Sequence, residues 1–348
     1  MTHTNMNIVV QSVLVAFILI NGVWCQRASD YFSYLRDCPK ECFCPPNFPN
    51  ALYCDGRKLK EMPVVPARIW YVYLQNNLIE TLSESSFKNA SQLKWINLNK
   101  NKISNHNISK GLFQKMNNLL YLYLEDNDLE EVPSPLPNSL EQLRLARNKI
   151  SKIPKGTFSN LENLSMLDLH HNKLGDFAFE ENTFQGLETL VQLNMAKNGL
   201  KKMPQGIPAS TLQLFLDNNS IEALPENYFN DLPKLTFVRL NHNKISDQGI
   251  PKTVFNVSSI LDLQLSHNQL TAFPPFHLKL EHLYLDHNQI KSKNQVDICP
   301  TPVGSIDQYP PKELLPRLRY LRLDGNGIKP PIPLNVMICF RLLSGIVI

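Results

Sequence analysis

The sequence predicts a repeat solenoid of the α/β class. It would be a horseshoe with a parallel β-sheet on its concave face, a mostly irregular and extended convex side, and disulfide caps at both ends. Three observations predict it. A short template of leucine and asparagine recurs along the chain, the recurrences keep a regular rhythm, and the cysteines gather toward the two ends.

The template reads L-x-x-L-x-L-x-x-N-x-L/I, a leucine-rich repeat. Its Asn falls at Asn77, Asn101, Asn127, Asn148, Asn172, Asn198, Asn219, Asn243, Asn268, Asn288 and Asn326. Leu140–Ile150 (LEQLRLARNKI) and Leu164–Leu174 (LSMLDLHHNKL) are clear copies. The seventh opens weakly, with Thr211 in place of the first Leu before Leu214, Leu216 and Asn219. In L-x-L the period of two places both leucines on one side of a short strand. Stacking the next repeat alongside makes a parallel sheet, and each buried Leu contributes about 1.5–3 kcal/mol. The Asn sits where the strand turns inward. Its amide both donates and accepts, so a column of Asn can satisfy backbone groups that the turn leaves unpaired.

Successive Asn positions are 24, 26, 21, 24, 26, 21, 24, 25, 20 and 38 residues apart. The first nine spacings follow a three-beat rhythm with every third repeat short. Short repeats carry Pro133, Pro135 and Pro137, then Pro204 and Pro208, then Pro274 and Pro275. These favour an extended return path. Long repeats carry an apolar Phe there instead: Phe87, Phe158, Phe184, Phe229 and Phe255. The last spacing holds Cys299 and several prolines, so that repeat is expected to project as a long loop.

An apolar stretch from Ile8 to Ile20, broken by Gln11 and Ser12, reads as the core of a secretory signal peptide cleaved before Gln26. Its leading residues lack Lys and Arg, a departure from the usual pattern. Neither this stretch nor the apolar tail Leu342 to Ile348 reaches the roughly 20 residues of a membrane span. The expected organisation is a signal peptide over 1–25, an extension over 26–37, a cysteine cap over 38–66, repeats one to ten over 67–290, and a long ear-type repeat with the C-terminal cap over 291–348. The formal net charge of +4 has no strong basic run behind it, which argues against nucleic acid. The expected product is secreted and extracellular, with no membrane insertion.

Loss of residues 1–25 removes Cys25 and leaves six cysteines, an even set that reads as disulfides in a secreted protein. Cys38, Cys42, Cys44 and Cys54 lie at one end, and Cys299 and Cys339 at the other. A Cys299–Cys339 bridge would tie the projecting loop to the segment after the last repeat. The C-x-C spacing and the lack of a nearby His pair argue against a zinc site in the first cluster.

The cap spacing C-x3-C-x-C-x9-C, the three-beat rhythm and the long Cys-bearing penultimate repeat resemble the small leucine-rich proteoglycans. Within them the cap is similar to the keratan sulfate-bearing class that contains lumican and fibromodulin. The strings Tyr73–Glu80 (YLQNNLIE), Trp95–Ile103 (WINLNKNKI), Leu124–Pro137 (LEDNDLEEVPSPLP) and Leu318–Pro333 (LRYLRLDGNGIKPPIP) carry the resemblance. It runs from about Cys38 to the C-terminus, and Gln26–Asp37 match least. The resemblance implies the pairs Cys38–Cys44, Cys42–Cys54 and Cys299–Cys339. It also implies a matrix protein that binds fibrillar collagen and limits its lateral growth, with keratan sulfate on Asn keeping fibrils spaced, as in the transparent corneal stroma. Members with an acidic residue after the last ladder Asn are implicated in collagen binding there; this chain has Gly327 beside Lys329.

Sequons occur at Asn89, Asn107, Asn163, Asn218 and Asn256, each expected to carry a glycan rather than stay unmodified. The binding surface is expected on the concave face, where inward leucines force the alternate residues outward. The middle positions of L-x-L are Tyr73, Asn97, Tyr123, Arg144, Asp168, Asn194, Phe215, Arg239, Gln264, Tyr284 and Arg322. Trp70, Tyr71, Trp95 and Tyr121 add aromatics near the N-terminal end. Exposed aromatics and arginines suit an interface; the competing expectation is that the rings only pack on one another. His171, His242, His267 and His287 share the position before the ladder Asn. That position accepts many polar residues here, and this reading is preferred to a metal or pH-sensitive strip. Tyr31 and Tyr34, near Asp30 and Asp37, are weak candidates for sulfation by resemblance. There is no G-x-S-x-G, no H-E-x-x-H and no phosphate-cradling glycine loop. The expectation is a binding protein without a cofactor or resident metal, not an enzyme. The rival expectation is a soluble ligand or decoy for growth factors or cell-surface receptors using the same face.

Overall fold

The computed structural model describes residues 36–179, 182–291, 315–331 and 334–348. The expected signal peptide, Tyr31, Tyr34, Cys299 and most of the long penultimate repeat lie outside the described residues.

Thirteen strands of three residues each form one parallel sheet in strict sequence order. They are β1 Ala51–Tyr53, β2 Tyr71–Tyr73, β3 Trp95–Asn97, β4 Tyr121–Tyr123, β5 Gln142–Arg144, β6 Met166–Asp168, β7 Gln192–Asn194, β8 Gln213–Phe215, β9 Phe237–Arg239, β10 Asp262–Gln264, β11 His282–Tyr284, β12 Tyr320–Arg322 and β13 Gly345–Val347. Their middle residues stand opposite one another: Leu143 pairs Leu167, which pairs Leu193. The middle residues from Leu52 in β1 to Leu321 in β12 are fully buried. The second template leucine follows each strand and is buried too, as at Leu74, Leu145 and Leu285. The pleat therefore sends one residue inward and both strand ends outward.

Directly after this leucine pair the chain reverses through a left-handed residue. Asn76, Lys100, Asp126, Arg147, His171, Lys197, Asn218, His242, His267 and His287 have φ between 53° and 59°. Each precedes a ladder Asn, and Gly325 takes the place in the last repeat at φ 71°. A side chain in this conformation costs roughly 1–2 kcal/mol. The ladder Asn offsets that cost. Asn101 Nδ2 donates to the carbonyls of Leu98 and of Leu74 in the preceding repeat, both at 3.0 Å, and its Oδ1 accepts the Ile79 N–H at 3.0 Å. The column persists to Asn326, which accepts from Ile290 N at 3.0 Å and donates to Leu285 O at 2.8 Å. The 38-residue spacing before it thus leaves β11 and β12 paired in register.

The convex side is mostly irregular, as its prolines predict. Phe87, Phe158, Phe184, Phe229 and Phe255 are all buried on the return path. Phe158 stacks on Phe184 at 6.2 Å and Phe229 on Phe255 at 5.7 Å between centroids. Phe113 and Phe179 join this apolar layer although the sequence reading passed over them. Among the described residues, helix is limited to a single turn, α1 Glu84–Phe87, to α2 Leu334–Cys339 near the end, and to short 3₁₀ turns. Three of those turns, Asn105–Asn107, Asp176–Ala178 and Asp247–Gly249, recur once per three-repeat beat. In each, the first side chain accepts backbone N–H groups of the next repeat: Glu130 and Glu131, Lys201 and Lys202, Thr271 and Ala272.

The N-terminal end of the sheet is covered, as an unpaired edge requires. Disulfides Cys38–Cys44 and Cys42–Cys54 hold the N-terminal cap. Phe43 and Tyr53 exchange two backbone hydrogen bonds there, at 2.7 and 2.9 Å. At the other end β13 pairs with β12, and Cys339 is buried and disulfide-bonded.

Candidate binding surface on the concave sheet

The two outward positions of each strand form two columns down the concave face, mostly half-buried. Tyr73, Tyr123, Arg144, Asp168, Arg239, Tyr284 and Arg322 all fall in the second column, where the alternation placed them. The first column contains Tyr71, Trp95 and Tyr121, and then residues the sequence reading did not single out: Met166, Phe237, Asp262, His282 and Tyr320. The signal for them was present, since each stands just before the L-x-L pair.

At the N-terminal end the rings form one continuous run. Tyr53 stacks on Tyr73 at 4.6 Å. Trp95 contacts Tyr73, Tyr121 and Tyr123 at 5.9, 5.6 and 5.4 Å. The Arg144 guanidinium closes the run 4.7 Å above the Tyr123 ring. The rings do pack on one another, and they also keep an outer face in solvent. Burial raises the Tyr73 and Tyr123 hydroxyls above their ordinary range. A hydrogen bond to Glu141 does the same for Tyr121, whose hydroxyl donates at 3.0 Å. These hydroxyls stay neutral donors at physiological pH. Trp95 Nε1 and Arg144 Nε are buried atoms with no hydrogen-bond partner.

Toward the middle the face becomes charged. Asp168 accepts from the His170 backbone at 3.1 Å and contacts its ring at 2.8 Å. Arg147 pairs with Asp126 at 2.7 Å and reaches Glu125 at 3.4 Å. Burial lifts the Glu125 carboxyl, and the neighbouring Asp168 lifts it further. Arg239 lies 5.2 Å over the Phe215 ring and pairs with Asp217 at 2.8 Å. Burial raises the Asp217 carboxyl in spite of that partner. Near the C-terminal end Tyr284 packs on Tyr320 at 5.2 Å, and Arg322 pairs with Asp324 at 2.8 Å.

All five sequon asparagines are exposed. Asn89 and Asn256 lie on the return path after Phe87 and Phe255, and Asn107 ends a 3₁₀ turn. Asn163 donates to the Asn138 carbonyl at 3.2 Å. Asn218 stands in the left-handed column, at the rim of the concave face. His242, His267 and His287 share that column and stack ring on ring. Among the described residues no helix is long and apolar enough to cross a membrane.

The comparisons agree with this architecture. A family model described as leucine rich repeat matches residues 68–129 and 138–200, and a second leucine-rich repeat model matches 231–250. The chain is similar to keratocan of Coturnix japonica, 62% identical over 344 residues, covering 96% of this chain and 98% of that one. It is similar to prolargin of Bos taurus, 54% identical over 317 residues, covering 91% of this chain and 83% of the relative. A leucine-rich repeat protein of Leptospira interrogans shares the fold at TM-score 0.61 and 23% identity, covering 80% of this chain and 72% of that one.

Proposed function

Because the chain belongs to the keratocan family of small leucine-rich proteoglycans of the extracellular matrix, we propose that it binds fibrillar collagen on its concave face and sets fibril diameter and spacing. The observation that carries this reading is the half-exposed run of Tyr53, Tyr73, Trp95, Tyr121 and Tyr123 capped by Arg144. Collagen chains are proline-rich and extended, and aromatic-lined surfaces pack against proline rings at little entropic cost. Glycans on Asn89, Asn107, Asn163, Asn218 and Asn256, keratan sulfate among them, would keep neighbouring fibrils apart. A Cys299–Cys339 bridge, secretion through residues 1–25 and residence in a corneal type of stroma belong to the same proposal.

The test is collagen fibril formation in vitro, followed by turbidity and electron microscopy. The native protein is expected to narrow the fibrils. Arg144→Ala and Arg239→Ala are each expected to weaken collagen binding by more than about fivefold, the loss of a central interface residue worth above ~1 kcal/mol. Unchanged affinity in both variants would move the site off this face. Fibrils of unaltered diameter, with tight binding to a cell-surface receptor, would carry the ligand or decoy reading instead.

A further inference from the structure

The left-handed column holds His242, His267 and His287 in three successive repeats. Their rings stack at 4.0 and 4.2 Å between centroids, tilted by only 13° and 11°. The next member of the column is Gly325, where a Cβ would lie 2.8 Å from the His287 ring. The stack therefore rests on bare backbone at its lower end. Beside it, Asp286 is a carboxylate only 2% exposed. Its Oδ1 accepts the Ser266 hydroxyl and faces Arg322 Nε at 3.7 Å. Its Oδ2 points the other way, 3.1 Å from His287 Nδ1 and 3.9 Å from His267 Nε2.

These separations have a specific chemical meaning. One ligand atom each from His267, Asp286 and His287 lies within 4.8 Å of the other two. Zinc binds imidazole nitrogen at about 2.0–2.1 Å and carboxylate oxygen at about 2.0–2.2 Å, which sets neighbouring tetrahedral ligands roughly 3.3 Å apart. The observed 3.1 and 3.9 Å bracket that value. The carboxylate is already oriented by the Ser266 hydroxyl, the part an outer-sphere partner plays in a metal site. Two nitrogen donors favour zinc over calcium or magnesium. The opposing cation, Arg322, is held by Asp324 at 2.8 Å, closer than its 3.7 Å approach to Asp286.

We propose that His267, Asp286 and His287 bind one zinc ion at the rim of the concave face, with water completing the shell. The ion would clamp the repeat that contains β10 to the repeat that contains β11, just before the long penultimate repeat. The aromatic run that carries the collagen reading lies at the other end of the sheet, on β1 to β4.

The experiment is calorimetric titration of the untagged, full-length secreted protein with zinc chloride at neutral pH, paired with cobalt(II) absorption in the visible. One ion per chain and a tetrahedral cobalt spectrum are expected. His267→Gln and His287→Gln should each weaken binding by at least about tenfold, since losing even an outer-sphere partner does that much. His171→Gln, in the same column but away from the stack, should bind as the native chain does. Both test side chains reach solvent, so circular dichroism and a denaturant midpoint will verify that the variants fold. No heat of binding in the native chain overturns the site, and so does unchanged zinc affinity in the folded His267→Gln and His287→Gln variants.

Discussion

A single ladder asparagine closes three backbone groups at once. Asn172 donates to Leu145 and Leu169 carbonyls at 3.0 Å each and accepts the Ile150 N–H at 3.0 Å, all in a buried setting. Removing the amide strands the Ile150 N–H, while the Leu145 and Leu169 carbonyls keep Asn148 and Asn198 as donors at 3.0 Å each. Asn172→Ala is therefore expected to cost about 1–3 kcal/mol, the penalty for stranding a buried polar group, read as a lower denaturant midpoint. A loss below experimental error would show that the turn satisfies itself without the ladder. Asp217 shows a residue whose burial outweighs its ion pair. Its folded pKa is raised, first by desolvation, with Arg239 opposing. The folded chain thus holds this proton to higher pH than the unfolded chain does. The stabilisation from this group is full below the unfolded carboxylate value of about 3.9, and it is lost as pH rises through the raised folded value. Relative to Asp217→Asn, the native chain should gain denaturant resistance on going from pH 7 to pH 4. A relative loss would mean that the Arg239 pair dominates after all. The sequence showed the ladder Asn plainly, because its chemistry is periodic. It did not show the left-handed residue before it, because Lys, Asp, Arg and His all fill that place and none signals a positive φ by itself.

At the scale of one element, a strand of three residues cannot stand alone, and the return path supplies the missing packing. The phenylalanine layer does this in the long repeats. Phe229 is fully buried and stacks on Phe255, whereas Phe177 is wholly exposed on its 3₁₀ turn. Phe229→Ala is expected to lower stability by about 3–5 kcal/mol, the usual cost of emptying a buried aromatic site. Phe177→Ala should leave the midpoint where it is. Equal effects in equilibrium unfolding would break the link between the layer and stability. The sequence placed Phe87, Phe158, Phe184, Phe229 and Phe255 on the return path of the long repeats, 13 or 14 residues before the next ladder Asn. Phe179 escaped because it stacks from outside that offset, 5.6 Å from Phe184. The 3₁₀ turns also went unseen. Their first residues, Asn105, Asp176 and Asp247, act on the next repeat, and a local reading of the chain does not couple the two.

For the whole molecule, each repeat touches only its neighbours, so the ends decide where unfolding begins. The N-terminal cap rests on bridges spanning 6 and 12 residues. In the loop-entropy account each contributes about 2–3 kcal/mol. Reduction of the native protein should lower its thermal midpoint, and backbone hydrogen exchange should rise first in β1 and β2 rather than in β6 and β7. Uniform exchange along the sheet would mean that the array melts as one unit. The aromatic run and the histidine stack occupy opposite ends of this same sheet: rings crowd β2 to β4, while histidines fill the reversals after β9 to β11. By itself, the sequence determined the repeat, its register, the inward leucines, the Asn column and the two outward columns in outline. All of these follow from period-two alternation and a fixed template length. Only the tertiary structure decided which outward residues meet across strands. It alone stacked the histidines, turned one Asp286 oxygen toward them, and left Arg144 spread over Tyr123. Those contacts join residues some 20 positions apart, and their geometry depends on how closely the strands lie and on which side chains burial has already fixed.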